Sequence, residues 1–352
     1  MSNTAFLSKG QNDKVWLNEI SFMRPVLLVL LVSYHAFAPY VGSWDIPDGI
    51  DNVELYRWIG LLSRAFRLEG FVFISGYVFT FQLIEQQKYN KLSLLLKTKF
   101  ERLLIPGFVF SIIYLLVFKK YDTTSDFVLQ AIQGTGHLWY LPCLFWCFVF
   151  HYLILRIDKP GFVLPILVLA LLMSITPLPF NMNKPLYYML FFYGGGYFWQ
   201  NSQKIKSYGN GKNIVFSWII FFFLFLISNM IISHISANYS QTDSLVHRGC
   251  CLEAMTILKA VMGWSGIISL YLSACLFCQT HKIGPRIIKV GACGYGVYVF
   301  HQFILKYIYY YTDIPALSGT VLLPWLALLV TIAISLAMTL LIRQTVIGRR
   351  FL

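Results

Sequence analysis

Two residues on the first apolar segment have types and spacing that suit proton-transfer chemistry. Arg24 and His35 are eleven residues apart. In a helix, eleven steps of about 100° return to nearly the same face, about 16 Å further along the axis. A histidine both takes and gives a proton near neutrality, as a general base for a hydroxyl must. A histidine hydrogen-bonded at a helix interface, with an arginine that snorkels, fits the same spacing.

The second apolar segment carries a carboxylate at a depth comparable with that of His35. Glu69 lies in a segment that runs in the opposite direction. A carboxylate there can hold the imidazole in one tautomer and stabilise its protonated form. It can equally pair with Arg64 or Arg67, and the sequence leaves both roles open. The pair Ser75–Gly76 follows, and such small residues allow close helix approach.

Two lysines, Lys259 and Lys306, also fall in apolar segments. A charge at bilayer depth costs several kcal/mol unless it is paired or hydrated, so each is a candidate for function. The alternative is that they snorkel to the interface, as the tyrosines around Lys306 suggest.

The elements that carry these residues belong to a membrane protein. Of 352 residues, 57% are hydrophobic and 12% charged, against roughly 25% charged residues in soluble domains. A spanning helix needs roughly 20 apolar residues. We predict an all-α integral membrane protein, one transmembrane domain over residues 1–352, with a single bundle of about ten transmembrane helices at 20–42, 57–85, 101–119, 136–156, 161–178, 185–201, 213–236, 253–278, 286–311 and 320–343.

Some of these boundaries are better defined than others. Pro160 and Gly161 separate the fourth and fifth segments. The fifth and sixth are short and proline-flanked, so either is open to a re-entrant interpretation. The first run is too long for the apolar core of a signal peptide and lacks a cleavage site, so we predict an uncleaved span.

The distribution of charge predicts the orientation. Alternate loops carry eighteen lysines and arginines on one side and five on the other, the richer side including Lys9, Lys14, Lys159, Arg349 and Arg350. Cytoplasmic loops are the basic ones, so both termini are predicted to be cytoplasmic. The net charge of +13 is scattered between apolar runs, which argues against a nucleic-acid partner. The seven cysteines show no zinc or disulfide spacing, and we expect no metal.

Five motifs, in order along the chain, resemble those of the membrane-bound acyltransferase family 3, which includes bacterial glycan O-acetyltransferases. They are Arg24-x10-His35, Glu69 to Gly76, Lys99 with Arg102 and Pro106, His137-Leu138-Trp139-Tyr140-Leu141, and Gly291 to His301. Two positions depart from the family. Gly294 stands where the family has serine, so no role carries over to that hydroxyl. Lys99 replaces an arginine, which keeps the charge but loses the bidentate fork for phosphate.

The resemblance implies an integral-membrane O-acyltransferase of the bacterial inner membrane. It would move an acetyl or other acyl group from cytoplasmic acyl-CoA to a hydroxyl of a cell-envelope polysaccharide or glycolipid. His35 would be the base, and Glu69 would orient it. Arg24, Lys99 and Arg102 would bind the phosphates of CoA. The remaining expected site residues line the substrate: Ser75, Trp139 and His301.

Other functions compete with this one. A transporter of a polysaccharide or an acyl group also has charges inside its bundle. The membrane domain of a sensor or racemase-type protein is disfavoured because no soluble domain is appended. The basic cluster favours the enzyme, since a glycan channel has no need for partners to CoA phosphates. The sequence names neither the acceptor sugar nor the oligomeric state.

Overall fold

A computed structural model describes residues 17–157, 160–239, 244–346 and 348. Five of the basic residues that support the predicted orientation lie outside these ranges: Lys9, Lys14, Lys159, Arg349 and Arg350. The cytoplasmic placement of the termini therefore stays a prediction.

Every regular element in these ranges is helical. The α-helices, numbered α1 to α15 in chain order, are Asn18–Ala36, Glu54–Arg64, Arg67–Ile84, Leu92–Lys99, Ile105–Phe118, Thr124–Gln133, Tyr140–Ile154, Val163–Met173, Asn183–Gln200, Ser202–Lys206, Gly211–Tyr239, Leu245–Thr280, Pro285–Ala292, Gly294–Tyr310 and Ile314–Ile342. A π-helical segment, Phe100–Leu104, joins α4 to α5, and 3-10 turns occupy Pro160–Phe162 and Pro179–Asn181.

Five helical stretches within the described ranges are long and apolar enough to cross a membrane. They are α1, the continuous stretch Leu92–Phe118, α11, α12 and α15. Helices α13 and α14 make a sixth if they cross as one, with a bend of 59° between them. The all-helical, multi-pass membrane character predicted from composition is confirmed.

The predicted number of about ten spans is not established by these lengths. The predicted segment 57–85 is divided at Ala65 and Phe66 into α2 and α3. The predicted segments 136–156 and 161–178 contain the shorter helices α7 and α8, of 15 and 11 residues. Hydropathy records apolar composition and does not register these breaks, which depend on packing against neighbouring helices.

Helix α1 extends between two opposite sides of the bundle. In its first turn, Glu19 forms an ion pair with Lys206, 2.6 Å between Oε1 and Nζ, and we call this side the near face. Beyond its last turn, the Tyr310 hydroxyl donates to the Asp45 carbonyl at 2.8 Å, and we call that side the far face. Arg24 therefore lies toward the near face and His35 toward the far face, as their spacing predicts.

Glycines bring α3 and α9 into backbone contact at the centre of the bundle. A Cβ atom on Gly76 would lie 1.9 Å from the Phe192 carbonyl oxygen, and one on Gly195 would lie 2.0 Å from the Phe73 carbonyl oxygen. Real Cβ atoms do not approach backbone so closely, so only glycine fits at these two positions. The close helix approach predicted at Gly76 is confirmed.

Candidate active site

The three predicted CoA-binding cations line one cavity on the near face. Arg24 from α1, Lys99 at the end of α4 and Arg102 from the π-helical segment all line it, and so does Ser75 from α3. Its volume is about 340 Å³. We call it the near cavity. Among the described residues no carboxylate lines it, so its three positive charges are available to an anionic ligand.

Local backbone features position the cations of the near cavity. Pro106 has no N–H, so the α-helical hydrogen bond to the Arg102 carbonyl is missing. The Tyr295 hydroxyl of α14 donates to that carbonyl instead, at 3.3 Å. The Lys99 ammonium lies 3.5 Å from the centroid of the Phe148 ring and 5.4 Å from that of Tyr89. Aromatic faces therefore stabilise this cation.

His35 lies deeper and lines a second cavity of about 250 Å³, which we call the central cavity. The Nδ1 atom of His35 lies 3.0 Å from the Leu31 carbonyl oxygen. A carbonyl oxygen only accepts hydrogen bonds, so Nδ1 carries the proton in the neutral ring. The Nε2 atom then carries the lone pair, and it has no hydrogen-bond partner among the described residues. A base with this tautomer would accept a proton at Nε2.

His301 contacts the ring of His35 at Nδ1. Its Nδ1 lies 2.7 Å from the Tyr298 carbonyl oxygen and 3.1 Å from that of Val297, so Nδ1 is the donor. Its Nε2 is therefore an acceptor and lies 3.2 Å from Nδ1 of His35. His301 is fully buried and is absent from the lining of the central cavity. It contacts the candidate base and does not line the substrate space predicted for it.

A third histidine reaches the same cluster and was not predicted as a site residue. His137 lines the central cavity, and its ring centroid lies 4.8 Å from that of His301. Its Nε2 donates to the Val299 carbonyl at 3.0 Å, and the Tyr298 hydroxyl donates to the His137 carbonyl at 2.5 Å. Its position in the His-Leu-Trp-Tyr-Leu motif was the available signal.

The structure places Glu69 in a different cavity from His35. Its Oε1 accepts a hydrogen bond from the Tyr187 hydroxyl at 3.2 Å, and it lines a third cavity of about 350 Å³, the far cavity. The contact to Nδ1 of His35 that an orienting carboxylate would make is made by a backbone carbonyl and by His301. Neither Arg64 nor Arg67 forms an ion pair with Glu69 within the described part of the chain.

The far cavity is polar, aromatic and cationic. Trp139 lines it, and the Lys184 ammonium lies 4.2 Å from the centroid of the Trp139 ring. Lys259 lines the cavity as well, whereas Lys306 lies among the rings of Trp44, Tyr114 and Phe118. The remaining polar lining comes from six helices or their ends: Arg64, Arg67, Ser174, Asn183, Tyr188, Asn229 and Thr256.

The three cavities adjoin one another at the start of α3. Leu68 lines all three. Tyr140 and Tyr298 line both the near and the central cavity, and Arg67 and Trp139 line both the central and the far cavity. The predicted site residues are therefore brought together in series: the cations at one end, His35 in the middle, and Trp139 with Glu69 at the other.

A family model described as an acyltransferase domain matches residues 17–343. The chain belongs to the acyltransferase 3 family. The match covers all three cavities and every candidate site residue. No curated protein and no solved structure matches the chain. Membership in this family, together with the apolar helices, makes the chain a membrane protein of the acyltransferase type.

Proposed function

We propose that the protein transfers an acyl group, most simply acetyl, from acyl-CoA to a hydroxyl of a cell-envelope polysaccharide or glycolipid. The observation that carries this proposal is the position of His35, whose Nε2 has no hydrogen-bond partner in the described part of the chain. His35 lines a cavity that shares Leu68, Tyr140 and Tyr298 with a cavity lined by three cations. A polyanionic thioester donor bound in the near cavity would therefore be a neighbour of the general base.

The near cavity is the proposed donor site. CoA carries phosphate groups, and Arg24, Lys99 and Arg102 supply three positive charges, with no carboxylate among the lining residues that the structure describes. The acyl thioester would point from there toward the central cavity, past Tyr140 and Tyr298. Because acyl-CoA is made in the cytoplasm, the near face is the proposed cytoplasmic face.

The proposed reaction is direct transfer. Nε2 of His35 accepts the proton of the acceptor hydroxyl while its oxygen attacks the thioester carbonyl carbon. The carbon–sulfur bond then breaks, and the CoA thiolate leaves and takes the proton from the imidazolium. The Nδ1–H of His35 donates to Nε2 of His301, which stabilises the imidazolium while it exists.

The far cavity is the proposed acceptor site. Trp139 supplies an aromatic face, and Tyr187, Asn183 and Thr256 supply hydrogen-bonding groups, a combination that suits a saccharide. Trp139 also lines the central cavity, so an acceptor lying on its ring can extend a hydroxyl toward His35. Glu69 belongs with this site as a hydrogen-bonding partner of Tyr187.

The proposed setting is a bacterial inner membrane, with about ten spans in one domain and both termini in the cytoplasm. The basic loops of the near face support this orientation, since cytoplasmic loops carry the excess of lysine and arginine. The three cavities then form a series from a cytoplasmic donor to an acceptor on the far side.

Acetyl transfer by the purified full chain tests the proposal. Radiolabelled acetyl-CoA is incubated with the purified protein and with native glycan extracted from the membrane. The transfer by wild type is compared with that by His35→Ala. Loss of the base is expected to reduce transfer by about 10²- to 10⁴-fold, while binding of acetyl-CoA persists. His151→Ala is the matched control, because His151 is an equally buried histidine that bonds to Thr80 and lines none of the three cavities. Normal glycan modification by His35→Ala, with no binding of CoA, would refute the enzyme and favour transport.

A further inference from the structure

Positive charge in the far cavity exceeds what its carboxylate can balance. Arg64, Arg67, Lys184 and Lys259 line it, and Glu69 is the one carboxylate among its described lining residues. None of the four cations lies within 4.0 Å of a carboxylate oxygen in the part of the chain that the structure describes. A neutral saccharide has no need of such a field, whereas an anion does.

Arg67 is the most informative of the four cations. Its side chain is 94% buried, at a relative exposure of 6%. The Nε and Nη1 atoms have no hydrogen-bond partner among the described residues, and the guanidinium lies 3.7 Å from the centroid of the Tyr34 ring. Buried arginines normally use their donors, because an unmade hydrogen bond from a charged group is costly. A buried guanidinium that has unmade hydrogen bonds and also lines two cavities suits a carboxylate or phosphate as its ligand.

We propose that the far cavity binds the acceptor through a negatively charged oxyanion, so that the natural acceptor is an acidic saccharide or a saccharide joined through a phosphate. The anion is held by the guanidinium of Arg67, with Lys184 and Lys259 contributing charge from the same cavity. This inference rests on the proposed function and specifies its acceptor class.

The position of Arg67 also relates the anion to the reacting hydroxyl. Arg67 and Trp139 line both the central and the far cavity. An acceptor whose anion contacts Arg67 and whose ring packs on Trp139 is therefore fixed at two points on the boundary with the cavity of His35. Two fixed points orient a hydroxyl toward Nε2, which contributes to rate as well as to affinity.

Ligand-observed NMR titration of the full chain in neutral detergent tests the inference with four probes. Methyl glucuronoside carries a carboxylate, glucose 1-phosphate carries a phosphate, methyl glucoside is neutral, and glycerol 3-phosphate is a lipid headgroup without a sugar. We expect wild-type protein to bind at least one sugar anion about 10-fold or more tightly than methyl glucoside, since charge-assisted hydrogen bonds are the strong ones.

Variants of the cations that line the far cavity test which residues bind the anion. Arg67→Gln is expected to weaken binding of the sugar anion about 10-fold or more and to leave methyl glucoside unchanged. Lys259→Gln is the second variant, because Lys259 is exposed and its loss does not threaten folding; a smaller loss of a few-fold is expected for it. Lys306→Gln is the matched control, since Lys306 lines none of the three cavities, and it leaves every affinity unchanged.

The outcomes that overturn the inference differ from those that overturn the proposed function. Equal binding of neutral and anionic sugars, or anion binding that neither Arg67→Gln nor Lys259→Gln weakens, removes the anionic acceptor. Glycerol 3-phosphate that binds as tightly as glucose 1-phosphate, with the same dependence on Arg67, assigns the cavity to a phospholipid headgroup instead. Acetyl transfer that depends on His35 but shows no anion preference leaves the proposed function standing. Anion binding without any binding of acetyl-CoA leaves the far site standing and refutes the donor site.

Discussion

The near and far cavities are similar in size, about 340 and 350 Å³, but they differ in chemistry. The near cavity combines three cations with mostly apolar and aromatic walls and has no carboxylate among its described lining residues. The far cavity combines cations with a carboxylate, amides, hydroxyls and aromatic rings. One end therefore suits a ligand with several negative charges and an apolar tail, and the other suits a polar ligand with many hydroxyls.

His35 lies between these two regions and belongs to neither. Its Nδ1 lies within hydrogen-bonding distance of the Leu31 carbonyl of α1 and of Nε2 of His301 in α14. The comparison therefore predicts three separable classes of variant: those that affect the reaction alone, the donor alone and the acceptor alone.

Removing the partner of His35 is expected to have the largest of these effects. His301→Ala removes the acceptor for the Nδ1–H of His35, so kcat should fall about 10- to 100-fold, the worth of one hydrogen bond to a charged group. The KM values for acyl-CoA and for the acceptor should stay within about 2-fold, since His301 lines neither outer cavity. His301→Gln, which offers an acceptor oxygen, should recover part of the rate. A rise in either KM would show that His301 lines a substrate after all.

Neutralising a near-cavity cation is expected to affect the donor alone. Arg24→Gln removes one phosphate partner and should raise the KM for acyl-CoA about 10-fold or more, with the acceptor KM unchanged. Lys97→Gln is the control, because Lys97 is an exposed cation of α4 that does not line the cavity. A larger change in the acceptor KM than in the donor KM would reverse the assignment of the two cavities.

Removing the aromatic face of the far cavity is expected to affect the acceptor alone. Trp139→Ala should raise the acceptor KM about 5- to 10-fold, since it removes a packing surface worth about 1 kcal/mol or slightly more. The KM for acyl-CoA should stay constant, and Trp139→Phe should retain much of the affinity. Kinetics with the acceptor varied at saturating donor measure this directly. A donor KM that rises with Trp139→Ala would show that the two sites overlap at the ring.

The smallest effect is expected at Gly294, on the wall of the near cavity. A Cβ atom there meets nothing within 4 Å, so Gly294→Ala should change the donor KM less than about 2-fold and leave the melting temperature unchanged. Gly76→Ala is the contrasting variant, because its Cβ would collide with the Phe192 carbonyl. Overpacking of this kind costs about 1–3 kcal/mol, which a thermal unfolding measurement detects. Equal melting temperatures for the two variants would contradict the close packing of α3 on α9.

Much of the donor end of the site was predictable from the sequence. Helical periodicity put Arg24 and His35 on one face, and the alternation of basic loops put Lys99 and Arg102 on the side of Arg24. These are statements about position along an axis, which period and charge record well. The structure adds that all three cations line one cavity.

The partner of His35 was less predictable, because it depends on which way side chains point. Arg67 and Glu69 are two residues apart, and about 100° per residue turns them toward different directions. Arg67 lines the central cavity, and Glu69 does not. The atoms that hold His35 are a backbone carbonyl one turn earlier and a histidine 266 positions away in sequence, and neither leaves a local pattern.

The number of spans was the other feature that the sequence did not establish. The hydropathy pattern predicts one segment over 57–85, but the helix is interrupted at Ala65 and Phe66. That break places Arg67 in the first turn of α3, at the junction of the central and far cavities. The interruption that divides the predicted span into two helices is therefore part of the candidate site.

Vesicle-based acetyl transfer tests most directly the claim that His35 links a donor on one face to an acceptor on the other. Radiolabelled acetyl-CoA is supplied only to the near face of sealed vesicles that contain the full chain and its native glycan, and label is measured on glycan enclosed at the far face. Wild type and His151→Ala should label the enclosed glycan, and His35→Ala should reduce the label about 10²-fold or more. Undiminished label with His35→Ala, or label that appears only when acetyl-CoA is supplied to the far face, would contradict the account.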